Sequence, residues 1–254
     1  MTVAPKNLKT QSYNDFAQRN RDAETWSEDR VLMSLVKSQA PLIVDVGAYT
    51  GTSAVRFRKL FPDARLVCFE PNPAARDELE RTCHELGGDI KVSDSAVSDA
   101  DGSARFFVQG INPGLSGLAR RSLDSKDSIA IAKGDGTDFG QINLKEIEVR
   151  TARLDSVELL VSADVDLLKI DVQSCEAKVL RGAPKLLKRT NVVMIEVSFY
   201  DFYESMSSFS AVEEFTEPAG LRLWAITTQS RNPMNGRTDW VNVVYSRDRA
   251  EIDT

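Results

Sequence analysis

Short apolar runs rich in β-branched residues alternate along this chain with longer stretches whose apolar positions recur at helical spacing. Five runs carry the first signal: LIVDVG at 42–47, ARLVCFE at 64–70, IKVSDSAV at 90–97, DLLKIDV at 166–172 and VVMIEVS at 192–198. Four are apolar on both faces, as strands buried in a parallel sheet between helical layers are. The third is more polar and is expected nearer an edge. GTSAVRFRKLF follows the first run and NPAARDELERTCHELGG the second, which closes on Gly87 and Gly88 as a helix C-cap would. SCEAKVLRGAPKLLKR follows the fourth, and Pro184 predicts a break near Gly182. LRLWAITTQ and TDWVNVVYSRD, parted by polar NPMNGR, read as two paired strands. The expected fold is α/β and Rossmann-like, a mostly parallel seven-stranded sheet with helices on both faces and a C-terminal antiparallel hairpin.

Two segments fall outside this alternation. Residues 1–40 carry one amphipathic pattern, with Trp26, Val31, Leu32 and Leu35 at near-helical spacing, and are expected as a helical extension packed on a domain spanning 41–254. Residues 106–153, rich in Gly, Ser and Asp with only short apolar runs, are expected as a lid or ligand-binding insertion.

Composition narrows the class. Apolar residues make up 42% of the chain and charged residues 28%, as in ordinary globular proteins. The net charge is -6 and the basic residues are scattered, which argues against a nucleic-acid partner. Cys68, Cys83 and Cys175 lack CxxC spacing, which fits a reducing, cytoplasmic location. No stretch reads as an export signal or a spanning helix, so no membrane partner is expected. Oligomeric state is not legible.

The candidate chemistry sits at the ends of the strand-like runs. LIVDVGAYTG is an apolar strand that ends in Asp45 and turns through Gly47 and Gly51 into a helix, where glycine lets backbone approach a ligand and helical N–H groups stand free. Three residues, Ala48, Tyr49 and Thr50, separate the two glycines, unlike the GxGxxG spacing of NAD sites. Glu70, in FEPNP, lies nineteen residues past Gly51 at the neighbouring strand end, where a carboxylate can accept both ribose hydroxyls. Both features point at one adenosine. The third run ends SDSAVSDADG, placing Asp94 or Ser95 beside an adenine.

DVGAYTG, FEPNP, AVSD, ARLDSV and LKIDVQSCE, in that order across Leu42 to Ser198, resemble the FkbM family of methyltransferases. The resemblance implies a class I methyltransferase sheet, S-adenosylmethionine as cofactor, and O-methylation of a small-molecule acceptor such as a sugar or natural product. The expected cofactor-binding residues are Asp45, Gly47, Ala48, Tyr49, Gly51, Thr52 and Ser53 in the glycine turn, Glu70, Pro71 and Asn72 after the second strand, Asp94, Ser95 and Ala96 after the third, and Asp171. The departure lies at Gln173 and Ser174, where the family usually has Glu and Gly.

An alcohol is a poor nucleophile until its proton is taken. Asp171 is the first candidate for that role, with Glu196 on the adjacent strand and Lys169, on the same strand face as Asp171, as further catalytic candidates. Mg²⁺ held by Asp171 and Glu196 is an alternative way to activate the acceptor, although no metal motif is present. His84, the single histidine, reads as a surface residue of the second helix, and Cys175 as a buried small residue. N-methylation, or cofactor binding without transfer, are the competing readings. Acceptor specificity is expected between Gly110 and Gly140, with Arg120 and Arg121.

Overall fold

A computed structural model of the chain describes residues 26–110, 112–123, 125, 143–232 and 235–247. The first helix, α1 (Glu28–Leu35), is capped by the Ser27 side chain, which accepts from the Arg30 N–H at 3.3 Å. Val31, Leu32 and Leu35 face the core. Trp26 does not join them: it precedes the helix, stays 47% exposed and lies under the Arg30 guanidinium. Glu28 anchors α1, accepting from Arg56, Thr227, Thr228 and Asn242. Residues 1–25 of the expected extension lie outside the described residues.

Strand β1 (Leu42–Val46) leads into α2 (Thr52–Leu60), β2 (Arg65–Phe69) into α3 (Pro73–Leu86), and β3 (Ile90–Ser93) ends the first half. Asn72 caps α3, Pro73 opens it, and Gly87 ends it at φ 64°, so this helix follows its start and stop signals closely. In the second half come β7 (Val165–Ile170), two short helices α4 (Glu176–Arg181) and α5 (Pro184–Leu187), β8 (Thr190–Ser198), α6 (Phe209–Thr216), β9 (Arg222–Arg231) and β10 (Thr238–Ser246). Pro184 and Gly182 divide α4 from α5 as the sequence predicts. A side chain at Gly182 would meet the Ser98 carbonyl at 2.1 Å, so close packing also fixes that break.

The main sheet has seven strands in the order β3-β2-β1-β7-β8-β10-β9. The first five run parallel, and β10 lies antiparallel between β8 and β9. This is the expected Rossmann-like α/β sheet with its terminal antiparallel pair. The polar run β3 is at the edge, as expected. One face packs Leu32, Phe57 and Leu79 from α1, α2 and α3 against Ile43, Leu66 and Leu167. The other packs Val179, Leu186 and Val212 from α4, α5 and α6 against Val44, Leu168 and Ile195. The order reverses between β2-β1 and β7-β8, which opens a crevice at the carboxyl ends of those strands.

The third run differs from its reading as one strand over 90–97. It divides after Ser93, and Ala96–Val97 forms β4 in a separate three-stranded sheet, β4-β6-β5. The flanks of the 106–153 stretch are themselves ordered: β5 (Gly102–Val108) and β6 (Lys145–Ala152) pair antiparallel over seven residue pairs. Residues 126–142, the heart of the expected lid, lie outside the described residues. No helix among the described residues is long and apolar enough to cross a membrane.

Candidate active site

The turn after β1 is held from two sides. The N–H groups of Gly47 and Ala48 donate to the Phe69 carbonyl at 3.1 and 3.0 Å, that of Tyr49 to Glu70 Oε2 at 2.9 Å, and that of Gly51 to Ala48 at 2.9 Å. The neighbouring strand end thus engages N–H groups of the turn itself, which precedes the first turn of α2 where free N–H groups are expected. The glycines also serve packing more than ligand approach. A Cβ on Gly47 would sit 1.8 Å from the Asp171 carbonyl, and one on Gly51 would sit 2.9 Å from Thr82, with φ of 81° and 96° respectively.

Beneath the turn lies a buried charge cluster. Asp45 is fully buried on β1, and the Lys169 ammonium on β7 lies 3.1 Å from it, 3.6 Å from Asp171 and 2.9 Å from the Gly47 carbonyl. Burial raises the Asp45 pKa against the attraction of Lys169. Burial alone would lower the Lys169 pKa, but Asp45 and Asp171 outweigh it and keep the ammonium charged. Neither Asp45 nor Lys169 is among the residues that line the two cavities described next, and their partners tie them to the turn and to Asp171.

Two adjoining cavities occupy the crevice. The first, of about 400 Å³, is lined by Gly47, Tyr49, Glu70, Pro71, Ser95, Ala96, Asp171 and Glu196 among the expected residues. Apolar walls from Val46, Phe69, Val97, Phe106 and Leu118 leave a slot suited to a flat ring. Ala48, Gly51, Thr52, Ser53 and Asn72 are not among the residues that line it. Asp94 is turned away, with its carboxylate held by Arg150 at 2.6 and 2.7 Å, so only Ser95 and Ala96 represent the third strand end. Glu70 is 6% exposed and accepts from the Tyr49 and Asn72 backbones at 2.9 and 2.8 Å. Burial pushes its pKa up to about 7, against the pull of those two N–H groups.

Asp171 Oδ1 accepts from the Gln173 side-chain amide at 2.9 Å. The Gln173 carbonyl oxygen lies 2.8 Å from the Tyr203 hydroxyl, which fixes the amide's orientation. Gln173 and Ser174 both adopt left-handed backbone, at φ 56° and 77°, and the buried Glu176 carboxylate accepts from the Ser174 N–H at 3.0 Å. Burial raises Glu176 to about 7. Glu196, at the end of β8, makes no hydrogen bond or ion pair with the described residues. Burial first, then the Asp171 and Glu176 charges, push it up to about 8.

The second cavity, of about 220 Å³, shares Leu115, Gln173, Glu196 and Trp240 with the first. It continues past Arg121, Ser198, Tyr203, Ser230 and Asp239. Trp240 and Tyr203 had no signal in the sequence, since their place depends on chain crossings far from the strand ends, whereas the Asn112–Leu118 wall falls within the 106–153 stretch read as a ligand-binding insertion. His84 is exposed on α3, and Cys175 is a buried thiol raised to about 12 by burial. Among the described residues no group of three or more His, Cys, Asp or Glu is arranged to hold a metal ion.

Size, acids and apolar walls suit S-adenosylmethionine: Glu70 for the ribose hydroxyls, Asp171 for an ammonium, and the slot for adenine. The methyltransferase FkbM domain matches residues 45–223. The chain is 29% identical over 185 residues to the 2-O-methyltransferase NoeI of Sinorhizobium fredii, covering 72% of this chain and 74% of that one. It is 28% identical over 157 residues to the methyltransferase sdnD of Sordaria araneosa, covering 56% and 60%. A solved precorrin-6y C5,15-methyltransferase from Geobacter metallireducens aligns with a TM-score of 0.45 at 11% identity, over 86% of this chain and 85% of that one. With its motifs, sheet and crevice all in agreement, the chain belongs to the FkbM family of S-adenosylmethionine-dependent methyltransferases.

Proposed function

We propose that this chain methylates a hydroxyl of a small molecule, with the cofactor in the first cavity and the acceptor in the second. The observation that carries the reading is Glu196, which lines both cavities and makes no hydrogen bond or ion pair with the described residues. The cofactor supplies a methyl group on a sulfonium, open to attack by an oxygen lone pair.

Within that arrangement Glu196 takes the hydroxyl proton. Asp171 is held by Gln173 and lies beside Lys169, so it serves better as a fixed negative charge for the cofactor's ammonium than as a mobile base. This moves the proton-accepting role from Asp171, the first candidate in the sequence, to Glu196. Asn112–Leu118, one described part of the 106–153 insertion, forms one wall of the first cavity and supports reading that insertion as part of the binding site. The name of NoeI, a 2-O-methyltransferase, is in keeping with oxygen as the acceptor atom.

Incubation with labelled S-adenosylmethionine and paired acceptors that differ only in hydroxyl against amine tests the proposal. Transfer to the hydroxyl members is expected. Transfer confined to amines would replace it with N-methylation, which needs no base, and labelled cofactor left intact with every acceptor would favour a binding module.

A further inference from the structure

The second cavity holds a charge that its other lining residues do not satisfy. Arg121 is 8% exposed, and its guanidinium makes no hydrogen bond, ion pair or ring contact with the described residues. A guanidinium stays protonated in any protein setting, and burying one without a partner is unfavourable. Its charge reaches the Tyr203 hydroxyl at the cavity wall, where it works against the burial that raises the phenol's pKa.

The backbone that carries Arg121 is built firmly. Asn143, itself at φ 50°, accepts from the Arg121 N–H at 3.0 Å and donates its amide to the Arg121 carbonyl at 2.9 Å. Gln109 grips Asn143 in turn, at 2.9 Å through both its amide nitrogen and its oxygen. On the other side Arg121 bridges Tyr203, and the flanking Ser122 N–H donates to the Phe202 carbonyl at 2.8 Å. A backbone held this way keeps the base of the Arg121 side chain at the cavity wall. By contrast Arg120, its neighbour, is half exposed beside Glu204.

Resting on the acceptor reading of this cavity given above, we propose that Arg121 binds an oxyanion, a carboxylate or phosphate, carried by the acceptor molecule. The planar guanidinium matches two oxygens of such a group side by side. The Ser198 and Ser230 hydroxyls line the same cavity and can add donors, while Trp240 offers a face for a ring. The acids Glu196 and Asp239 also line the cavity, so the acceptor is oriented by charge: its oxyanion toward Arg121 and its hydroxyl toward Glu196.

The test uses the full chain loaded with S-adenosylhomocysteine and matched probes. Glucuronate and glucose 6-phosphate are set against glucose, and 4-hydroxybenzoate against 4-hydroxybenzamide, with binding followed by NMR. The charged members should bind at least about tenfold more tightly than their neutral counterparts. Arg121→Gln should remove that difference while leaving neutral-probe and S-adenosylhomocysteine affinity unchanged, and Arg121→Lys, which keeps the charge, should retain part of it. The carboxylate and phosphate arms show which oxyanion is preferred. Equal binding of charged and neutral probes, no binding of any charged probe, or an Arg121→Gln chain that keeps the full difference would overturn the proposal. If S-adenosylhomocysteine fails to bind but the Arg121-dependent preference persists, the methyl-transfer reading fails and the oxyanion site stands.

Discussion

At Glu196, Asp171 and Lys169 the crevice holds three ionisable groups whose partners divide their work. Lys169 faces Asp45 and Asp171, Asp171 faces Lys169 and Gln173, and Glu196 feels Asp171 and Glu176 from β7 and α4 together with Lys169 and the more distant Glu28. A carboxyl raised to about 8 is neutral below that pH and can accept a proton only when ionised. The single-turnover rate of methyl transfer should therefore climb with pH through a midpoint at or below about 8, since the cofactor's positive charge favours the ionised form. Glu196→Gln should lower that rate by about 10² to 10⁴ and leave S-adenosylhomocysteine affinity nearly unchanged. Asp171→Asn should instead weaken cofactor binding. An Asp171→Asn chain that binds cofactor normally but transfers slowly would return the base role to Asp171.

At the level of elements, the segment between β7 and α4 departs most from its family's pattern. Ser174 stands where the family usually has Gly, at φ 77°, and its hydroxyl is buried with no hydrogen-bond partner among the described residues. Left-handed backbone costs a non-glycine residue about 1 to 2 kcal/mol, and an unsatisfied buried hydroxyl adds to that. Glycine offsets part of the gain through its extra freedom when unfolded. Ser174→Gly should thus raise stability by about 1 kcal/mol, seen as a Tm about 2 to 4 °C higher, and an unchanged or lower Tm would contradict this account of the turn. The same segment shows what was legible in sequence. LKIDVQSCE placed Asp171 correctly at a strand end, because alternation along a buried strand is a local property. The partnership of Gln173 with Tyr203, thirty residues away in sequence, was not legible, because it depends on how the loop after β8 returns to the crevice. Likewise IKVSDSAV has strand-forming residues throughout, and local preference alone does not show that Ala96 and Val97 pair with β6 rather than β2.

Across the whole molecule, the alternation of apolar runs sufficed for the sheet, its edge and the helices on both faces, since each depends on burial that repeats along the chain. Acceptor-side features were legible only in part: Arg121 lies in the 110–140 stretch where the sequence points to acceptor specificity, whereas Trp240 and Asp239 come from the terminal strand pair, which meets the insertion only once the sheet has closed its order at β8-β10-β9. The reversal of strand order at β1 brings Glu70 and Asp171 into the lining of one cavity. That placement is the ground for proposing the first cavity as the cofactor site, and calorimetry tests it most directly. Wild-type chain should bind S-adenosylmethionine and S-adenosylhomocysteine saturably and show no binding of NAD, and Glu70→Ala should weaken both by about 10- to 100-fold. Saturable NAD binding with no response to S-adenosylmethionine, or full affinity in the Glu70→Ala chain, would contradict it.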